Sequence, residues 1–167
     1  MKTFELLFAH NAWASRQVLD ACKAAPNGLL QAPGEGITSD SHLERLRHLF
    51  EVERGFLGVL RGESTRPPKP AQELDGLVSY HDGTAAGFEQ LVAVLDEAAL
   101  DGSFYVPWWE REFEVRDGLL QVIAHSSQHR AEVAWALSKV GVSTGDLDHI
   151  SWTAAGRPAS GTNPRLG

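Results

Sequence analysis

Cysteine is almost missing from this 167-residue chain: Cys22 is the single one, which excludes an internal disulfide and any cysteine-rich zinc site. Positive charge is scarce too. Fifteen Lys and Arg stand against 22 Asp and Glu, a formal net charge of −7. No basic block is long enough to grip phosphates, so nucleic acid and acidic membrane surfaces are poor partners. Long apolar runs are lacking as well. Nothing in the chain spans a bilayer uninterrupted, and the apolar N-terminal stretch is broken by Glu5, Asn11 and Arg16, so it has no signal-peptide core. The protein is therefore expected to be soluble and cytoplasmic. No internal repeat or low-complexity block is present.

What is there suits one domain with one core, since 43% of the residues are hydrophobic. Apolar residues recur at alternating steps of three and four in four stretches. Over residues 3–24 the seam is Phe4, Phe8, Asn11, Ser15, Val18 and Cys22, with Thr3 as N-cap and Pro26-Asn27-Gly28 as the stop. Cys22 lies on that seam and reads as a small buried apolar residue rather than a nucleophile. A second helix carries Leu43, Leu46, Leu49, Phe50, Phe56, Leu57 and Leu60. Ser41 with Glu44 has capping-box spacing, and Thr38 or Ser39 are alternative starts. The connection through Arg66-Pro67-Pro68-Lys69-Pro70 cannot be helical. A third helix is expected over residues 71–99, and a short two-stranded ribbon around Phe104-Tyr105-Val106 and Phe113-Glu114-Val115, turning at Pro107-Trp108-Trp109. Its aromatics read as packing, with the wall of a ligand pocket as the other reading. The last helix covers residues 119–140, with Gly141 as its C-terminal stop. Four amphipathic helices with one long connection predict an all-α four-helix bundle over residues 1–152, and the Gly/Pro/Ser/Thr-rich residues 153–167 a flexible tail.

The last helix carries the chemistry. Its seam of Leu119, Val122, Ser126, His129, Val133, Ala136 and Val140 is apolar except at Ser126 and His129, and His125 lies one turn before His129. Side chains four apart on a helix stack, so the two imidazoles can converge on one point, a natural seat for a metal. A buried imidazole needs a partner, which a metal supplies. The HExxH pattern of zinc peptidases is not met, because Ser126 stands where the Glu general base belongs. His48, at the edge of the second helix's apolar arc, and His81, on the seam of the third, are rival further ligands. Glu132 reads as a solvated flank residue, or as one that orients a ligand. Arg130 points about a third of a turn away from His129 and receives no catalytic role. Asn11 either hydrogen-bonds across the bundle or lines a pocket floor.

The stretch AHSSQHRAEVAWALSKVGV, followed by Asp148, resembles the closing helix of the DinB-like superfamily. RHLFEVE around His48 resembles its second helix and LLFAHNAWASRQVLDAC its first, so the resemblance reaches to about Trp152. It implies an up-down-down-up four-helix bundle, a divalent metal held by three side chains near one end, and frequently a dimer. His48, His125 and His129 match the three ligands by position, and His81 lies on no family motif. The superfamily includes thiol S-transferases that use bacillithiol or mycothiol, glutathione-dependent relatives and a thiol-dependent isomerase. The resemblance therefore implies an enzyme that uses Zn, Ni or Fe, with a low-molecular-weight thiol, on a small-molecule electrophile. A metal-dependent hydrolase and a non-catalytic metal-binding stress-response bundle are the alternatives. A two-fold homodimer is expected because the first and third helices carry more apolar residues than one seam needs. The acidic balance predicts no tight, salt-sensitive binding to duplex DNA at physiological ionic strength; a fluorescence-anisotropy titration with a labelled duplex should stay flat.

Overall fold

Local signals set where the long helices begin and end. The computed structural model describes residues 2–34, 40–63 and 67–160. Helix α1 spans Thr3–Cys22, with Lys2 rather than Thr3 as its cap. Helix α2, His42–Leu60, opens with the expected capping box: Ser41 Oγ accepts from the Glu44 amide at 3.2 Å and Glu44 Oε2 accepts from the Ser41 amide at 2.8 Å. Thr38 and Ser39, the alternative starts, lie outside the described residues. Helix α3 is Leu74–Val94, shorter than the expected 71–99. It breaks at the extended Leu95, and Asp96 then caps a separate turn, α4 (Glu97–Leu100), by accepting from the Ala99 amide at 2.8 Å. Strands β1 (Ser103–Val106) and β2 (Arg111–Glu114) pair antiparallel, Ser103 opposite Glu114 and Val106 opposite Arg111. Val115 is not in the ribbon as expected. It begins helix α5, Val115–Lys139, four residues before the anticipated start. Gly141, at φ +80°, takes the left-handed position that ends α5, and the Val142 amide reaches back to the Leu137 carbonyl at 3.0 Å. A short helix α6, His149–Ala154, follows.

Cross-helix contacts give the directions. Phe8 stacks on Phe88 at 4.4 Å between centroids, while Lys2 Nζ reaches the Leu95 carbonyl and Arg16 reaches Asp82, so α1 and α3 run antiparallel. Arg45 meets Glu132 and Glu53 meets Ser126, so α2 and α5 are antiparallel too. Phe50 lies against His81 and Arg61 donates to the Gly87 carbonyl, which makes α2 and α3 parallel. The order is up, down, down, up, as the resemblance implies. Two parallel helices joined in sequence need a return path. The thirteen residues between Leu60 and Leu74 reach at most about 45 Å extended, enough to run back along a helix of roughly 28 Å.

The interior has two large apolar clusters, one around Phe8, Phe56, Phe88 and Val122, the other around Val18, Leu49, Phe50 and Leu137. Cys22 is buried, and burial pushes its thiol up to about 12. A smaller cluster joins Trp13 to Trp152 of α6. Beyond α6 the Trp152 indole donates to the Pro158 carbonyl at 3.0 Å, and Ser160 Oγ approaches the Ala12 carbonyl at 3.4 Å; residues 161–167 lie outside the described part. The surplus apolar residues of α1 and α3 are covered within the protomer: Phe8, Trp13, Val18, Leu19, Leu77, Phe88 and Val92 are buried, and Phe4, Leu6, Leu7, Val78, Leu91 and Leu95 are half-buried. The expected homodimer loses that motive. Among the described residues no helix is long and apolar enough to cross a membrane.

Where the ribbon docks on α5, Gly118 is a packing requirement. A Cβ there would stand 2.5 Å from Phe104 Cζ and 2.7 Å from Cε1, and a ring held in the core cannot retreat as a flexible side chain would. Gly118→Ala should therefore lower stability by about 1–3 kcal/mol, seen as a lower urea midpoint at unchanged slope.

Candidate metal centre

The rotation of α5 decides which of its polar residues enter the core. The buried stripe runs Leu119, Val122, Ser126, Arg130, Val133 and Leu137, so Arg130 takes the interior place that the three-four alternation had given to His129. His129 and His125 move to the edge facing α2. His48 stands on the facing edge of α2 and is exposed, while the other two are half-buried. Each imidazole offers a ligand nitrogen that lies within 4.8 Å of the other two. His48 Nε2 is 3.2 Å from His125 Nε2. The ring centroids are 5.1 Å apart for His48 and His125, 5.3 Å for His48 and His129, and 4.5 Å for His125 and His129.

Burial first, and then the neighbouring His129 and His48, push the His125 imidazole down to about 4. Burial and His129 lower His48 as well. Both rings are thus neutral at pH 7, the form in which a nitrogen lone pair can bind a cation. The third ring is oriented by hydrogen bonding. His129 Nδ1 donates to Glu132 Oε2 at 2.8 Å, and the buried Arg45 guanidinium meets the same oxygen at 3.0 Å. Burial raises the Glu132 carboxyl, but the hydrogen bond from His129 and the neighbouring Arg45 guanidinium outweigh it and hold it below the usual carboxylate range. Glu132 is therefore not the solvated flank residue favoured from sequence. It holds His129 Nδ1 and leaves Nε2 as that ring's free lone pair, the carboxylate–imidazole arrangement that orients metal-binding histidines.

Beneath the imidazoles lies a polar network that the sequence reading missed. Glu53, 2% exposed, accepts from Asn11 Nδ2 at 2.9 Å and from Ser126 Oγ at 2.6 Å. Arg130 donates to Asn11 Oδ1, to Ser15 Oγ at 3.1 Å and to Ser127 Oγ at 3.0 Å. Asn11 therefore hydrogen-bonds across the bundle, one of its two expected roles, and its amide links a carboxylate to a guanidinium. Burial lowers Arg130 to about 10, against the pull of Glu53, so it stays charged at neutral pH. The signal for Glu53 was present: it is a carboxylate in the gap between Leu49-Phe50 and Phe56-Leu57 on α2's apolar arc.

The other candidates fall elsewhere. His81 is 1% exposed, with Nε2 3.2 Å from the Ala12 carbonyl, and belongs to the core. His10 pairs with the Leu147 carbonyl at 2.8 Å and lies beside His149 and Trp152. Among the described residues, His48, His125 and His129 form the group of three potential ligands. The donor chemistry fits a divalent ion: imidazoles from two helices, one locked by a carboxylate through its other nitrogen. They can hold a metal ion.

The model of the DinB family matches residues 1–158 of the chain. No curated protein matches it. If Glu132 orients His129 for metal, Glu132→Gln should weaken binding by about 10–100-fold in a competition titration against a chromophoric zinc chelator, with the helical circular dichroism unchanged.

Proposed function

The chain belongs to the DinB family, and from that premise we propose a metal-dependent enzyme in which His48, His125 and His129 hold one divalent ion, Zn, Ni or Fe. Its reaction is the transfer of a low-molecular-weight thiol to a small electrophile. The observation that carries the reading is the incompleteness of the donor set: three imidazoles cluster at an open edge, and among the described residues no fourth His, Cys, Asp or Glu joins them. Structural zinc sites are closed by four protein ligands, whereas catalytic ones keep a position for substrate. A divalent ion there supplies Lewis acidity that favours the thiolate form of a sulfur ligand at neutral pH.

The chain's own residues do the rest. Glu132 and Arg45 fix the tautomer and orientation of His129. Burial keeps His125 and His48 free of protons. The Asn11, Glu53, Ser126 and Arg130 network fixes the face that α5 presents to α2. All three imidazoles come from one chain, so the site asks nothing of a second copy. With a haloaromatic such as 1-chloro-2,4-dinitrobenzene, the sulfur would form the new carbon–sulfur bond, chloride would leave with the carbon–chlorine pair, and the thiol proton would pass to solvent.

His48→Ala, His125→Ala and His129→Ala should each lose most of the bound metal in elemental analysis, together with thioether formation, while His149→Ala keeps both. Wild-type metal content in His48→Ala would reject the ligand set. A metal-loaded protein inert toward every thiol and electrophile tried would reject the transferase and leave the hydrolase and the non-catalytic bundle.

A further inference from the structure

The ribbon folds over the C-terminal part of α2 and the start of α5, and beneath it lies a cleft of about 590 Å³. Its aromatic wall is built from rings meeting mostly edge to face. Trp109 lies 6.0 Å from Phe56 and 5.6 Å from Phe113, and Trp108, behind the lining, lies 5.6 Å from Phe56. Trp108 lies over α2 at Gly55, where a Cβ would stand 3.7 Å from its Cη2, an ordinary van der Waals contact. The opposite wall is Leu120, Gln121 and Ala124 of α5. Packing accounts for only half of the lining indole: Trp109 is 52% exposed, and Leu120 is 45% exposed beside it. That much open aromatic surface around a cavity marks a place for an apolar ligand.

The cleft's position gives it a role. Gln121 precedes His125 by one turn on the same face of α5, about 6 Å along the axis, and Gly55 follows His48 by two turns on α2, about 10 Å. The two helices run antiparallel, so both rails lead from the aromatic wall to the imidazoles. The cleft's lining ends at Ala124, the residue before His125, and Gln121 and Ala124 on that side are both exposed. Charge narrows the occupant. The lining carries one acidic residue, Asp117, and no Lys, Arg or His, so a carboxylate or phosphate would find no counter-charge. Ring edges and faces favour a flat ring over a branched chain, and the volume takes one or two rings.

We propose that this cleft is an aryl subsite, which binds the ring of a neutral aromatic ligand and sets a substituent one helical turn away at the His48, His125 and His129 edge. The second half of this statement rests on the metal–thiol reading; the first does not. Two measurements separate them. N-phenyl-1-naphthylamine, a neutral two-ring fluorophore, should bind saturably with a blue shift to chelator-treated protein. The exposed-site changes Gln121→Trp, which fills the cleft, and Trp109→Ala, which removes its wall, should each weaken it by about tenfold or more at unchanged circular dichroism. Cobalt-loaded protein is then titrated with ethanethiol and 2-phenylethanethiol, followed by the cobalt absorption bands. The phenyl compound should bind about tenfold more tightly or better, and Gln121→Trp should erase the difference. Failure of the fluorophore to bind, or equal binding by wild type and both variants, overturns the subsite whatever the thiols do. Equal affinity of the two thiols overturns its continuity with the imidazoles. Fluorophore binding that the variants abolish, with no cobalt response to either thiol, upholds the aryl site and overturns the metal–thiol reading instead.

Discussion

A carboxylate and a guanidinium inside the bundle, joined by one asparagine, constrain everything above them. Glu53 and Arg130 come from helices α2 and α5, and the Asn11 amide of α1 donates to one and accepts from the other. An unpartnered charge at that depth costs several kcal/mol, so each group tolerates only an arrangement that keeps its partners. Rotating α5 by one residue would leave Arg130 without Asn11 and Glu53 without Ser126. Apolar packing alone is more forgiving, because Leu and Val tolerate small rotations that hydrogen bonds do not.

That rotational lock fixes the imidazoles. Ser126 and Arg130 each follow a histidine directly, so once they point inward, His125 and His129 are committed to the edge that faces His48. Arg45 and Glu132 repeat the same logic one turn away, with a half-buried ion pair whose carboxylate also takes the His129 proton donor. The polar interior and the candidate site are thus one construction: the core's polar groups choose the register, and the register brings three imidazoles together.

The helices were legible because periodicity, the Ser41–Glu44 box and Gly141 each have a local cause. The boundaries that were misread have non-local ones. Val115 looks like strand by its branched side chain, and its amide still bonds the Gly102 carbonyl across the ribbon, but the chain turns into α5 there; the break after Val94 depends on Asp96 capping α4. His125 and His129 could be paired from spacing alone, whereas His48 needed the family resemblance, since nothing in one helix announces which edge of another it will meet. The reading of His129 as a seam residue failed because a step of three from Ser126 leads to His129 and a step of four to Arg130, and the interior position belongs to Arg130. Glu132 was misjudged because its partner Arg45 lies 87 positions away in the chain.

The up-down-down-up path leaves α1 and α2, which are neighbours in sequence, at diagonal corners of the bundle, each flanked by α3 and α5. No hairpin of those two consecutive helices can form early, and assembly waits for contacts between distant parts of the chain, which is the slow kind of folding. The His48 and His125 pair closes a separation of 77 residues. An ion gripping both would therefore tie off a loop of that length, and because it binds the folded chain and not the open one, its concentration would set how often α5 lets go.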